Sequence, residues 1–304
     1  MGLMGLSNIR YKAKVNGLLI LKGKWVKAWL ILLVIFLLDG GITALEIGYR
    51  TAFNIPLDTV GMIESGNISI TPQSAAISAA FSLLSLLLVT PLEVGQIEWY
   101  WKLSDGERVS RTHENSPYTR EDDGALNVSA VFAWFGSARL FAKSVLLNLN
   151  LAVRSLLWSA LIFAMPCAML GGAYYLTLGK PATDVLLIAG FLALGGFALL
   201  LGAVLLLMAV LARYFLAVYL FVEDNGRGVN AAIAESVRLT KGRRLEIVKF
   251  VLSFIGWFLL RWLTWIAAAY VDPYFNAASV VYARHLIFSG RAGQKRPEPE
   301  TGAR

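Results

Sequence analysis

The side chains able to do chemistry in this chain are few, and the most telling are charges set inside apolar stretches. Arg261 stands in "LSFIGWFLLRWLTW" and Asp39 in "LLDGG", each about eleven residues into an oily block from that block's basic end. An unpaired charge at the bilayer centre costs roughly 2.5–3.5 kcal/mol on insertion scales. Equal rise per residue puts the two at similar depth, so the expectation is that Asp39 and Arg261 form an ion pair. Glu93 and Arg154, nearer the inner leaflet, make a second candidate pair, with Arg154 alternatively snorkelling to the headgroups. Intramembrane charges mark ion or substrate paths, or they fix helix register as structural pairs. The second reading is favoured, because neither an acidic chain nor matched broken helices accompanies them.

Other reactive patterns are thin. His113 and His285 have no Cys or His at ligand spacing, so no metal or cofactor site is assigned. The single cysteine, Cys167, lies in an apolar segment and reads as a packing residue. "DNGRG" lacks the lysine and the strand-to-helix setting of a phosphate loop, and no serine sits in a nucleophile elbow. "GGAYY" and "LGGF" read as helix-packing glycines. No catalytic residue is assigned, and the chain is not expected to be an enzyme.

These charges have to be carried by membrane helices. The chain of 304 residues is 57% hydrophobic and 16% charged, with a mean hydropathy of +0.61. Soluble domains run closer to 45–50% apolar and about 25% charged. The excess gathers in blocks long enough to cross a hydrocarbon core of roughly 30 Å. The fold class expected is all-α: a multi-pass transmembrane bundle of about six membrane helices, residues 28–289, plus short amphipathic cytoplasmic helices. The spans are 28–47, 74–99 (continuing past Pro91), 151–176, a fourth from about 184, 247–271 and 273–288. The sixth is only about 24 Å long and either barely spans or lies at the interface. The fourth block, of 39 residues, is read as one crossing, with no hairpin at Gly195-Gly196, whose lower part around 213–222 tilts into the interface.

Charge fixes the sides. The 28 Lys and Arg fall as six in residues 1–27, six in 102–143, seven in 213–249 and five from 284 onward, leaving Arg50 and Lys180 in the opposite loops and Arg154 and Arg261 within spans. The positive-inside rule then makes both termini cytoplasmic. The net charge of +8 suits anionic lipid headgroups at the cytoplasmic face, with no nucleic acid and an unidentified membrane-protein partner left open. Trp25, Trp29, Trp99, Tyr100 and Trp101 are expected at the inner interface, and Tyr49, Tyr174, Tyr175, Tyr270 and Tyr274 at the outer one. Outside the bundle lie a basic N-terminal segment, 1–27, a polar mobile loop, 104–127, and a disordered tail, 290–304. An interfacial helix is expected over 230–242, capped by Asn230 and ended by Gly242. "LKGKWVKAWLILL" and "TKGRRLEIVKFVL" echo each other before outward spans, with "ARLFAKSVLL" a fainter third, which suggests three helical hairpins in one orientation.

From Phe221 to Tyr282 the chain resembles DUF975, a family of uncharacterised bacterial integral membrane proteins. The matching stretches are "VEDN" (222–225), "AIAESVRLTKG" (232–242), "LSFIGWFLL" (252–260) and "DPYFNAASVVY" (272–282). Weaker echoes are "LKGKWVKA" (21–28), "PLEVG" (91–95) with "DGE" (105–107), and "LWSALIFAMP" (157–166). The chain departs from the family's pattern at Pro166-Cys167, where Pro-Gly is expected, and in extra length over about 171–204. The resemblance implies a multi-pass inner-membrane protein and brings no reaction or site residues.

The function expected first is a non-enzymatic structural, accessory or regulatory membrane protein. The alternative is a small transporter or transporter subunit using Asp39 and Arg261, for which a water-filled cavity reaching both is the deciding feature. A lipid-acting enzyme, using Glu93, Glu98 and Asp105 near the headgroups, ranks third.

Overall fold

The computed structural model describes residues 3–55, 72–112, 127–178 and 182–294. Among the described residues the chain forms ten α-helices, joined in places by 3-10 turns, and no strand. α1 (Leu3–Leu21) leads into α2 (Trp25–Ala52), and α3 (Pro72–Thr112) returns beside it. A 3-10 segment, Val128–Phe135, follows, capped by the Asn127 side chain, which accepts the Val128 N–H at 2.8 Å. α4 (Ala138–Thr177) and α5 (Thr183–Leu211) form a second long hairpin. After a 3-10 turn at Ala212–Tyr214 come α6 (Ala217–Glu223), α7 (Val229–Leu239), α8 (Arg244–Leu252), α9 (Ile255–Leu263), a 3-10 turn at Trp265–Ala267 and α10 (Ala268–Gln294).

Four stretches are long and apolar enough to cross a membrane: Trp25–Ala52, Pro72–Asp105, Ala138–Thr177 and Thr183–Glu223. They match the first four expected spans, and α5 runs unbroken through Gly195-Gly196, where Met169 and Leu170 of α4 pack close. The lower part of that block turns off through the 3-10 turn into α6, at the place anticipated.

The two glycines of the echoed sequences do the same job. Gly23 (φ +75°) lets α1 turn sharply into α2, and Gly242 (φ +79°) turns α7 into α8. Both hold a left-handed backbone that a Cβ would penalise.

The densest packing lies at one end of the molecule, where the basic segments meet. Trp99, Tyr100, Trp134, Phe221, Phe250, Phe254 and Tyr282 are among its fully buried side chains. α10 runs through this base, antiparallel to α1. The approach is so close that a Cβ on Gly17 would lie 2.8 Å from the Ala278 Cα. The 3-10 segment crosses α3 just as tightly, since a Cβ on Gly95 would sit 2.2 Å from the Val131 carbonyl oxygen. Gly95 ends the "PLEVG" stretch, and this crossing is the physical reason for a glycine there. Away from the base, the hairpins expose Leu161, Phe191, Leu194 and other large apolar side chains to their surroundings. Surfaces of that kind are stable facing hydrocarbon.

Several expectations are corrected. The fifth span, 247–271, is divided: α8 stops at Leu252, α9 ends at Leu263, and α10 has begun by Ala268. The break at Ser253–Phe254 is pinned. Ser253 Oγ donates to the Phe250 carbonyl at 2.5 Å, and Lys14 Nζ donates to the Ser253 carbonyl at 2.7 Å while lying 4.4 Å over the buried Phe254 ring. Burial and the nearby Arg10 charge push the Lys14 ammonium pKa below its ordinary value. The corner between α9 and α10 then returns to the foot of α2. Trp25 stacks on Tyr270 (centroids 5.1 Å apart, 11° between planes), and Trp29 Nε1 donates to the Ala269 carbonyl at 2.8 Å. Tyr270 therefore shares a level with the tryptophans assigned to the opposite interface. The sixth span, 273–288, is the middle of α10, a helix of about 40 Å whose Ala277, Ala278, Ala283 and Ile287 are buried in the base.

The smaller elements also differ. α7 starts at Val229 after Gly228, so Asn230 lies inside the helix and does not cap it. Its apolar face, Ala232, Ile233, Ser236 and Leu239, is buried in the base and does not lie on a bilayer surface. Residues 104–112 of the expected loop continue α3, and 113–126 lie outside the described residues. The tail is helical to Gln294, and 295–304 lie outside. Most of the N-terminal segment is α1.

Candidate functional site

α2 carries Asp39, Glu46 and Arg50 at spacings of seven and four, which puts all three on one helix face. α3 answers with Ser85, Ser78 and Ser74 in antiparallel order. Ser85 Oγ donates to Asp39 Oδ1 at 3.0 Å, and Ser78 Oγ donates to Glu46 Oε1 at 3.2 Å. Arg50 closes the far end of this polar seam. Its Nε meets Glu46 Oε1 at 2.9 Å, and its terminal nitrogens donate to Ser74 Oγ at 3.0 Å and Ser78 Oγ at 2.5 Å. At 6% side-chain exposure, Arg50 is a buried, fully engaged guanidinium and not the loop charge its position suggested. The serine spacing in "SAAISAAFSLLS" was the sequence signal for it.

Beside this seam lies a groove of about 1160 Å³, walled by α2, α3 and the α9–α10 corner. Its polar lining is Asp39, Thr43, Glu46, Ser82, Ser85, Thr90, Glu93, Arg261 and Asp272, and the remainder is apolar or aromatic. Pro91, inside α3, removes one intrahelical hydrogen bond at this level. Thr90 Oγ donates to the Leu86 carbonyl at 2.6 Å and Thr43 Oγ to the Asp39 carbonyl at 3.0 Å, which ties two wall hydroxyls to their own helices.

The structure brings Asp39 and Arg261 to the same groove without pairing them. Arg261 Nε lies 3.2 Å from Asp272 Oδ1, and Asp39 is held by Ser85. Counting residues along one straight helix misplaced Arg261, because the helix that carries it is broken at Ser253. Glu93 and Arg154 do not meet either. Glu93 lines the groove, while Arg154 Nε donates to Asn150 Oδ1 at 2.6 Å on its own helix, α4. Glu46, Arg50 and Asp272 are the charged members of the site that sequence reasoning missed.

Other acids are engaged in holding the base. Glu98 accepts from Trp134 Nε1 at 2.6 Å and pairs with Lys102 at 2.7 Å. Asp105 takes a two-pronged contact from Arg284, which also donates to the Trp101 carbonyl at 2.7 Å and lies 4.0 Å over the Trp101 ring. Arg291 forks onto Glu223 at 2.8 and 2.7 Å, hydrogen bonds that push its pKa above the ordinary value, and also reaches Glu235 at 3.3 Å. Lys143 Nζ gathers the carbonyls of Asn225, Gly226 and Arg227.

Chemically, the groove offers carboxylates, hydroxyls and one guanidinium against an apolar wall. Among the described residues no three His, Cys, Asp or Glu side chains come together to hold a metal ion. No curated protein and no solved structure matches the chain. The model of one family, described as "Protein of unknown function (DUF975)", matches residues 4–288, and the chain belongs to that family.

Proposed function

We propose that the chain is a non-enzymatic, multi-pass protein of the bacterial cell membrane that binds a small ligand in the groove, as a small transporter or a transporter subunit. Both termini and the basic base face the cytoplasm in this reading, against anionic headgroups. The observation that carries it is the groove itself, an open space large enough for a drug-sized molecule, with Asp39 and Arg261 on its walls. A purely structural role for those charges calls for a closed, packed interior around an Asp39–Arg261 pair. Arg261 pairs instead with Asp272, and both groups border open space.

The test is thiol labelling in intact membranes. A Ser82→Cys variant in a Cys167→Ala background places one thiol on the groove wall, and Leu194→Cys places one on the apolar face of α5. A charged, water-soluble methanethiosulfonate should modify the first and spare the second. If Cys at 82 is as inert as Cys at 194, the groove is dry and the proposal fails.

A further inference from the structure

We infer that the ligand of this groove is an amphiphilic cation, a compact ammonium-like head on an apolar body; the inference rests on the groove being a binding site. Among the groove's ionisable side chains four are carboxylates, Asp39, Glu46, Glu93 and Asp272, against Arg261 alone. Two of the four already have cations: Glu46 has Arg50 and Asp272 has Arg261. Among the described residues, the Asp39 carboxylate is met only by the neutral Ser85 hydroxyl, and Glu93 has neither hydrogen bond nor ion pair. Two carboxylates near enough to feel each other's charge are thus left facing the same space. A bound cation relieves that repulsion, and an anion worsens it.

Directly below Glu93 the same face of α3 carries Gln96 and Tyr100, at spacings of three and four. Gln96 is 8% exposed and Tyr100 fully buried, yet Gln96 Nε2 and the Tyr100 hydroxyl have no partner among the described residues. Tyr100 lies in the field of Asp272, which is part of the groove wall. Buried polar atoms without partners cost roughly 1–3 kcal/mol each. Neither residue lines the groove itself; beyond Glu93 they offer two polar atoms to water or to a ligand's polar head. The rest of the lining is apolar: Leu30, Leu33, Phe36 and Phe81, with Trp29 half exposed at the rim. That wall suits an aliphatic or aromatic body, and Trp29 offers a cation a π face. A small hydrated ion would leave most of it bare.

The experiment is equilibrium binding of radiolabelled tetraphenylphosphonium to the full chain in nanodiscs of zwitterionic lipid. Saturable binding is expected, weakened about tenfold by Glu93→Gln and again by Asp39→Asn, the loss of one neighbouring negative charge each. Tetraphenylborate, the anion of the same shape, measured on its own, should show no saturable binding, and tetramethylammonium should compete with the phosphonium only weakly. Competition by a soluble quaternary ammonium or by a cationic lipid doped into the disc supports the same chemistry and separates its two sources. Glu93→Gln alone suffices if the double variant does not fold, since Glu93 has no partner to lose among the described residues. Tetraphenylborate binding that needs Arg261 would overturn the cation and leave the groove standing. No binding of either ion, with Cys at 82 inert, would overturn both.

Discussion

Arg284 offers the sharpest quantitative prediction, because its two sets of contacts have unequal weight. The guanidinium is 5% exposed and Asp105 57% exposed, so the ion pair itself is water-screened and worth about 0–1 kcal/mol. The buried side is worth more. Replacing Arg284 with Met removes a charged donor from the Trp101 carbonyl, which keeps the Ser104 hydroxyl at 2.9 Å, about 1.5–3 kcal/mol, and removes a cation–π contact worth about 0.5–2 kcal/mol. Arg284→Met should therefore cost about 2–5 kcal/mol, and Asp105→Asn under about 1 kcal/mol, since the latter leaves the Trp101 contacts in place. On the scale of a chain this size, that corresponds to a Tm lowered by about 3–8 °C for the first and under about 2 °C for the second. Heating each variant in detergent and measuring the fraction that survives gel filtration gives both numbers. Equal losses would show that the exposed carboxylate does the anchoring and would refute the reasoning.

Two further outcomes test the corrected geometry. In a double-mutant cycle, Arg261→Leu and Asp272→Leu should couple by about 0.5–1 kcal/mol, a half-exposed pair, while Arg261→Leu and Asp39→Leu should add; the reverse pattern would restore the Asp39–Arg261 pair. In a Cys167→Ala background, Tyr270→Cys should resist impermeant reagents applied outside intact cells, because Tyr270 stacks on Trp25 at the foot of α2; efficient external labelling would mean that the α9–α10 corner crosses the bilayer.

Hydropathy carried the reading well where a helix is long and uninterrupted. α2 to α5 were legible because oily blocks of that length have no other stable form in lipid, and the basic flanks show which of their ends gather together. The stretch after Gly242 was not, since an apolar run reads the same whether it crosses or turns back. The decisive residues are Ser253 and Thr264, small hydroxyls that accompany breaks without announcing them. α7 shows a second kind of ambiguity. An amphipathic face buried against protein and one lying on headgroups have the same periodicity, and only the fully buried Ala232 and Ser236 decide between them. The groove was half visible. Asp39, Glu93 and Arg261 stood out as charges in oil, but Asp272, eleven positions beyond Arg261, became its partner only because the chain doubles back.

The clasp of α1 against α10 has a consequence for synthesis. Its halves are about 260 residues apart along the chain, and Gly17 cannot meet Ala278 until both have left the ribosome. Both long hairpins are complete in sequence well before that point. A product cut short ahead of residue 268 would therefore hold both hairpins yet be unfastened at its foot, with the face of α1 that α10 covers left bare, the kind of exposed surface that promotes aggregation.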